Sequence, residues 1–448
     1  MTILIEFLGC KVNSYEAECV AKDFINHGYS FFDESSNDQP DVIVVNTCAV
    51  TETSVTKDKK TIRKFKRTYP NSILVVMGCY AQYGYQYIID ELGADICIGT
   101  SHRDELFDLV EKFKENNEKI IKIDENNTIK RYENLKLDRF QFNTRAYVKI
   151  QDGCNNYCSY CLIPYVRGRS RSRNKEDILK EINNLVQNGY KEIVLTGIDM
   201  SSYGLDLNEK ITFSDLIEEI LQKTNNLYRL RISSLEESQI DEKFIDLLKN
   251  NQILANHLHM PLQSGSASVI KNMNRKYNIP SFFEKISKIR EIRPDISITT
   301  DVIVGFPGET EEDFQETYDF CKKINFSKIH VFPYSDRTGT VASKRKDKID
   351  PKTKKDRVNR LLSLSKLLEE EYSSRFYGQE IEFLCENYDS KLQAFVGHSS
   401  NYLETKIFSN KNIVNEVVRL KFDKENKLDF WQCQNLKIPN LFDIFVEF

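Results

Sequence analysis

Nine residues constrain this chain of 448 most: Gly153-Cys154-Asn155-Asn156-Tyr157-Cys158-Ser159-Tyr160-Cys161. Three cysteines fall at C-x3-C-x2-C spacing in one short loop, and no fourth cysteine or histidine follows nearby. A structural zinc site takes four protein ligands, and ordinary iron–sulfur electron carriers also take four cysteines. Three thiolates on a four-iron cluster leave one iron without a protein ligand. An open metal position is how a site admits substrate or cofactor. The loop therefore reads as a cluster with a vacancy rather than an incomplete zinc loop or three structural thiols.

Composition sets the frame around that loop. The chain is 40% hydrophobic and 29% charged, as soluble globular proteins are, and its length predicts about three domains. No apolar run approaches the roughly 20 residues of a membrane helix, and Glu6 interrupts Ile3–Leu8, which argues against a signal peptide. The expected setting is cytoplasmic, with no membrane partner. Eleven cysteines then read as metal ligands and buried thiols, not disulfides. With a net charge of -4, RNA contact has to come from local basic patches.

Residues 1–113 alternate short apolar runs with helical patterns, the mark of a parallel α/β sheet. Three runs end alike: Ile3–Leu8 before Gly9-Cys10, Val42–Val45 before Asn46-Thr47-Cys48, and Ile73–Met77 before Gly78-Cys79. Strand carboxyl ends of a parallel sheet share one edge, where ligands bind. Cys10, Cys48 and Cys79 are thus expected to converge, again as three thiolates for one cluster. Cys19 and Cys97 lack that context and are expected to be buried thiols, as are Cys321, Cys385 and Cys433. Residues 114–139, polar with isolated apolar positions, read as a linker carrying one edge strand.

Residues 140–376 repeat strand then helix. Strands are expected at Ala146–Ile150, Ile193–Thr196, Leu230–Ser233, His257–Met260, Ile298–Val304 and Lys328–Phe332, with helices between. Six such units predict a partial (βα)6 TIM-like barrel with its site at the strand carboxyl ends, where the cysteine loop lies. Glycine and hydroxyl residues at those ends, including Thr196, Gly197, Ser233, Gln263 and Gly305, together with Tyr160, are candidate cofactor-binding residues. Arg167, Arg169, Arg171 and Arg173 follow the loop at once and read as a phosphate-binding strip for RNA, or as a contact for a cofactor carboxylate. Two further basic stretches, Lys57–Arg67 and Lys344–Arg360, read first as solvated helix faces, with RNA contact as the second reading. His257 and His259 share one strand face and are expected to be hydrogen-bonded barrel residues rather than metal ligands. From 377 to 448 short strands recur at Ile381–Cys385, Leu392–Val396, Asn401–Phe408, Asn415–Phe422 and Leu441–Phe448, predicting a small antiparallel β-barrel.

The C-x3-C-x2-C loop resembles the signature of the radical S-adenosylmethionine (SAM) superfamily. Gly9-Cys10-Lys11-Val12-Asn13-Ser14-Tyr15-Glu16, Asn46-Thr47-Cys48 and Gly78-Cys79-Tyr80-Ala81-Gln82 resemble the amino-terminal domain of the methylthiotransferases within it. The last 72 residues resemble the TRAM domain, a nucleic-acid-binding barrel, although here acidic residues are at least as frequent as Lys and Arg. The resemblance implies two [4Fe-4S] clusters, one on Cys154, Cys158 and Cys161 and an auxiliary one on Cys10, Cys48 and Cys79. SAM would be cleaved at the first, with no side chain acting as catalyst. It also implies a tRNA anticodon loop as partner, a flavodoxin- or ferredoxin-type electron donor, and a sulfur donor the sequence does not identify. Thr47-Cys48-Ala49-Val50-Thr51 and His257-Leu258-His259-Met260-Pro261-Leu262-Gln263-Ser264-Gly265 resemble the branch that converts N6-threonylcarbamoyladenosine at tRNA position 37 to its 2-methylthio derivative. The alternatives are isopentenyladenosine in tRNA, a ribosomal-protein aspartate, or a non-catalytic iron–sulfur RNA-binding protein.

Overall fold

The computed structural model describes residues 1–428 apart from 34, 36–37, 126–128, 130–131 and 142. The first sheet holds β1 (Thr2–Phe7), β2 (Ser30–Phe31), β3 (Val42–Thr47), β4 (Ile73–Gly78), β5 (Ile96–Ile98) and β6 (Ile120–Lys122). All are parallel, in the order β2-β1-β3-β4-β5-β6. Its faces are covered by α1 (Lys11–Asn26), α2 (Glu52–Thr68), α3 (Cys79–Asp90) and α4 (Leu106–Asn116). Successive strand side chains point to opposite faces, so the continuous apolar runs serve both. Ile3, Ile5, Val42, Val44, Val75 and Met77 pack with α1 and α4, while Leu4, Ile43, Val45, Leu74 and Val76 pack with α2 and α3. Cys97 is buried in the second of these cores, and β6 is the edge strand expected within the linker.

The middle of the chain is the expected parallel array: β7 (Ala146–Lys149), then a hairpin of β8 (Gln151–Asp152) and β9 (Arg171–Ser172), then β10 (Glu192–Thr196), β11 (Arg229–Ile232), β12 (His257–His259), β13 (Ser297–Val304) and β14 (Lys328–Pro333). Between and after them run α5 (Ile163–Val166), α6 (Lys175–Gln187), α7 (Phe213–Lys223), α8 (Glu242–Asn250), α9 (Ala267–Asn272), α10 (Ile279–Ile292), α11 (Glu311–Ile324) and α12 (Pro351–Ser374). Strands β7, β10 and β11 pair in parallel, as do β12, β13 and β14. The two groups meet where the Leu235 amide donates to the His259 carbonyl at 2.9 Å and the Ala255 amide to that of Leu230 at 2.9 Å. Helix starts are sharply marked: Thr212 and Thr310 each form a reciprocal capping box with the acid three residues on.

Helix α1 belongs to two cores at once. Ala17, Val20, Ala21 and Phe24 pack on the first sheet, whereas Tyr15 and Cys19 are buried in the core of the barrel.

The chain then forms an antiparallel sheet of β15 (Glu380–Asp389), β16 (Ala394–Ser399), β17 (Glu404–Ile407) and β18 (Val417–Lys421), in the order β17-β16-β15-β18. It docks on the amino-terminal ends of the barrel strands. There Arg231 donates to the Ser399 carbonyl at 3.1 Å, Arg145 pairs with Glu386 at 3.2 Å, and Tyr402 stacks on His257 at 4.5 Å. Glu192 holds Arg229 at 2.9 Å and Arg231 at 2.6 Å beneath that contact. The sheet therefore closes the barrel mouth opposite the cysteine loop. Cys385 and Cys321 are buried as expected, while Cys433 and the strand expected at Leu441–Phe448 lie outside the described residues.

Candidate active site

The first triad is built by strand register. Neighbouring strands β1, β3 and β4 release the chain at one edge, where Cys10 caps α1, Cys48 follows Thr47, and Cys79 opens α3. Asn13 fastens these loops: its side-chain amide donates to the carbonyls of Leu8 (2.7 Å) and Thr47 (3.0 Å), and its own carbonyl accepts from Asn46 (2.9 Å). Gly9 has φ +106°, and a Cβ there would lie 2.8 Å from the Cys48 sulfur, so only glycine brings the backbone this close to the thiol. Burial pushes the Cys48 thiol well up and the Cys79 thiol up to about 11.

The second triad rides on the β8–β9 hairpin. The Cys154 amide donates to the Gly168 carbonyl at 3.1 Å, closing the loop at its base, and the Cys161 amide donates to the Cys158 carbonyl at 3.0 Å. The Asn156 amide donates to the Cys154 sulfur at 3.4 Å, and the Cys154 thiol donates to Asp199 at 3.5 Å. Burial raises the Cys154 thiol strongly, with the Asp199 charge adding to it, and burial lifts Cys161 to about 12.

All six cysteines line one cavity. Of the expected cofactor-binding residues, Tyr160, Thr196, Gly197, Ser233 and Gln263 line it too. Gln263 does so from a left-handed backbone conformation, φ +62°, held by bonds to Asp301 and Ile303 on β13. Gly305 does not: its amide donates to Glu309 at 2.6 Å, and it turns the chain against the side chain of Lys354. Its glycine serves that close packing.

The arginine strip is corrected for three of its four members. Arg167 is fully buried and donates to Glu16, Asp152, Asn13 and, at 3.1 Å, the Cys79 sulfur. Arg171 is buried against Asp152 and the carbonyls of Arg167 and Arg169, and Arg173 against Glu181 at 2.5 Å. These side chains are spent inside the protein, where a phosphate cannot reach them. Arg169 alone of the four is exposed, over the Tyr157 ring at 5.5 Å.

Arg167 belongs to a buried charge cluster that joins the two halves of the site. Glu16 on α1 meets Arg103 (3.0 Å), Lys149 (2.7 Å) and Arg167 (2.9 Å), and Asp152 meets Lys149 (2.6 Å), Arg167 (3.1 Å) and Arg171 (3.6 Å). Glu133 completes it on Arg103. Burial opposes the Glu16 charge, but the surrounding cations outweigh it and hold its carboxyl down at about 2. Four cations face three carboxylates, so the cluster carries one positive charge more than it neutralises, beside Cys79. Across the cavity Arg275, buried and paired with Glu236 at 2.6 Å, reaches the Cys158 sulfur at 3.6 Å.

This donor set suits two thiolate-held clusters with an open position each. Every triad offers three sulfurs, and no histidine or further cysteine lines the cavity among the described residues. Metal binding requires deprotonated thiols, and the buried arginines beside Cys79 and Cys158 supply the compensating charge. Sequence reasoning gave no role to Asn13 or Arg275: Asn13 lies within the Gly9–Glu16 motif, which could have marked it, whereas Arg275 sits in no pattern that sets it apart.

His259 accepts or donates at Thr299 (2.9 Å) and approaches Asp301 at 3.2 Å, and His257 bonds Thr299 at 3.0 Å, both inside the barrel. A broad cleft of about 750 Å³ runs from Gly9 past Lys57 to Lys354 and Lys355, so both basic stretches border it. No helix is long and apolar enough to cross a membrane among the described residues.

Comparison with known proteins agrees with this architecture. Residues 148–321 match the radical SAM superfamily, and residues 2–99 match uncharacterized protein family UPF0004. The chain is 40% identical over 426 residues to threonylcarbamoyladenosine tRNA methylthiotransferase MtaB of Bacillus subtilis (strain 168), covering 94% of each. The chain belongs to the radical SAM methylthiotransferase family. Another member of that family, tRNA-2-methylthio-N(6)-dimethylallyladenosine synthase of Thermoanaerobacter sp. (strain X514), is 37% identical over 91% of this chain and 85% of its own length. A third, MtaB of Aquifex aeolicus (strain VF5), is 38% identical over 86% of this chain and 92% of its own. Among solved structures, the radical S-adenosylmethionine methyltransferase TsrM of Kitasatospora setae, with cobalamin and a [4Fe-4S] cluster bound, superposes with a TM-score of 0.56. It is 14% identical and covers 76% of this chain and 77% of its own, so the likeness is one of fold.

Proposed function

We propose that this methylthiotransferase converts N6-threonylcarbamoyladenosine at position 37 of tRNA to its 2-methylthio derivative, in the cytoplasm. The observation that carries the reading is that two cysteine triads, from separate halves of the chain, line one cavity. Cys154, Cys158 and Cys161 hold one [4Fe-4S] cluster, and Cys10, Cys48 and Cys79 hold the other. The adenine C2–H bond is unactivated and no side-chain base removes it as a proton; bound SAM and clusters supply the radical, sulfur and methyl chemistry such a bond needs.

The chain's own work is to hold, shield and orient. Thr196, Gly197, Ser233, Gln263 and Tyr160 bound the space for SAM. Arg167 and Arg275 balance thiolate charge from the protein side, and the apolar walls exclude water. The anticodon loop offers an unpaired base of the kind proteins draw into pockets. Lys57, Lys354, Lys355 and Arg169 supply phosphate contacts along the approach. A flavodoxin- or ferredoxin-type protein delivers electrons. In this reading residues 1–113 form the auxiliary-cluster domain, 114–139 the linker, 140–376 the SAM barrel and 377–448 a TRAM domain.

The dimethylallyladenosine relatives favour a second substrate, isopentenyladenosine, and one experiment separates the two. Nucleosides from total tRNA, with and without the gene, are compared by mass spectrometry. Loss of 2-methylthio-threonylcarbamoyladenosine with accumulation of its precursor supports the proposal. Loss of the isopentenyl product instead overturns the substrate, and unchanged tRNA overturns the tRNA reading altogether.

A further inference from the structure

A second pocket opens off the cysteine cavity and shares Val50, Tyr160, Cys161, Ile163 and Gln263 with it. Its remaining walls are largely apolar, with Leu162, Ile303 and Phe332 among them, and Asp301 is the one carboxylate in the lining among the described residues. Arg337 is the one cation in the lining among the described residues. Its side chain is only 4% exposed, which is costly for a charge unless something anionic is meant to meet it. Its present anionic partner is Glu52 at 2.9 Å, whose own side chain is 64% exposed and lies at the start of α2. A second bond goes to the Tyr83 hydroxyl at 2.8 Å. A guanidinium has five N–H donors. Glu52 takes one bond from Nη1 and Tyr83 one from Nη2, and each of these nitrogens carries two N–H, so donors remain at the head of the side chain, while the Nε is buried with no partner among the described residues.

We infer that Arg337 binds the carboxylate of the threonylcarbamoyl substituent and so sets the specificity of the enzyme. The inference rests on the tRNA reading above. In adenine, C2 and the N6 substituent flank ring nitrogen N1. A base whose C2 faces the cysteine cavity therefore leaves its substituent in the adjoining space. A threonylcarbamoyl group ends in a carboxylate, the partner that an arginine grips with paired N–H donors. A dimethylallyl group has no polar atom and would leave that guanidinium unanswered. Glu52, already paired with Arg337, competes for the same cation until the substrate carboxylate joins or displaces it.

The test compares two anticodon stem-loop RNAs, one carrying N6-threonylcarbamoyladenosine and one carrying its neutral carboxamide, with the full-length reconstituted enzyme. Dissociation constants and kcat/KM are both measured. Wild type should prefer the carboxylate by about tenfold to a hundredfold, the usual worth of a charge-assisted bond. Arg337→Gln should abolish that preference by weakening the carboxylate form far more than the carboxamide, and Arg337→Lys should restore part of it. Glu52→Gln, which removes the competitor, should tighten the carboxylate form several-fold, and it carries the test if the arginine variants do not fold. Equal treatment of the two RNAs by wild type, or an undiminished preference in Arg337→Gln, overturns the inference while leaving the function intact. Failure of wild type to convert the threonylcarbamoyl RNA at all overturns the function, and this inference falls with it.

Discussion

Glu16 shows what a single side chain does here. It is fully buried, lies on the helix that Cys10 caps, and takes three cations from both halves of the site. Removing one partner of such a cluster leaves uncompensated buried charge, which costs about 3–5 kcal/mol. Its carboxyl is held near 2, below its ordinary value of 4.5, so the folded state binds the proton less readily than the unfolded chain. That stabilisation is complete above about pH 4.5 and drains away as pH falls towards 2. Urea denaturation of the apo protein across this window should show a stability slope that Glu16→Gln makes shallower, the remainder coming from other depressed carboxylates such as Asp152 and Glu192. An identical slope in the variant would deny Glu16 this role. The convergence of the cysteines was legible because one triad is spaced within a single loop and the other repeats one strand-end context three times. The buried arginines were not, because a run of Arg and Ser looks the same whether its partners are water or Glu16, Asp152 and Glu181, which lie elsewhere in the sequence.

At the scale of elements, the cysteine loop depends on its hairpin, and the hairpin on Gly153. That residue has φ +72°, and a Cβ would stand 2.0 Å from the Arg169 carbonyl oxygen. Gly153→Ala therefore cannot close the loop as built. It should lose iron from the Cys154, Cys158 and Cys161 triad while the other triad keeps its own, read as roughly half the iron of wild type after anaerobic reconstitution. Full iron content in the variant would contradict this. Strands were legible from their apolar runs: the one expected at Ile193–Thr196 is β10, which starts one residue earlier at Glu192. The β8–β9 hairpin was not, since two-residue strands have no period to read. Nor was the approach of Gly305 to Lys354, which is set by α12 packing more than forty residues downstream.

The whole molecule is organised by α1, which lies in two cores, is capped by Cys10 and carries Glu16. The antiparallel sheet closes the far mouth of the barrel and leaves the cysteine end to the basic cleft. If that cleft carries RNA, Lys354→Glu with Lys355→Glu should weaken tRNA binding and flatten the dependence of log Kd on log salt by about two phosphate contacts. An unchanged slope would send the RNA elsewhere. The proposed chemistry, however, requires two triads holding two clusters. The most direct measurement is iron and acid-labile sulfide per chain, with Mössbauer spectra, for wild type and two triple variants. Wild type should hold about eight irons, and about four should remain when either Cys10, Cys48 and Cys79 or Cys154, Cys158 and Cys161 are replaced by alanine. Undiminished iron in the first triple variant would mean that those three thiols hold no cluster.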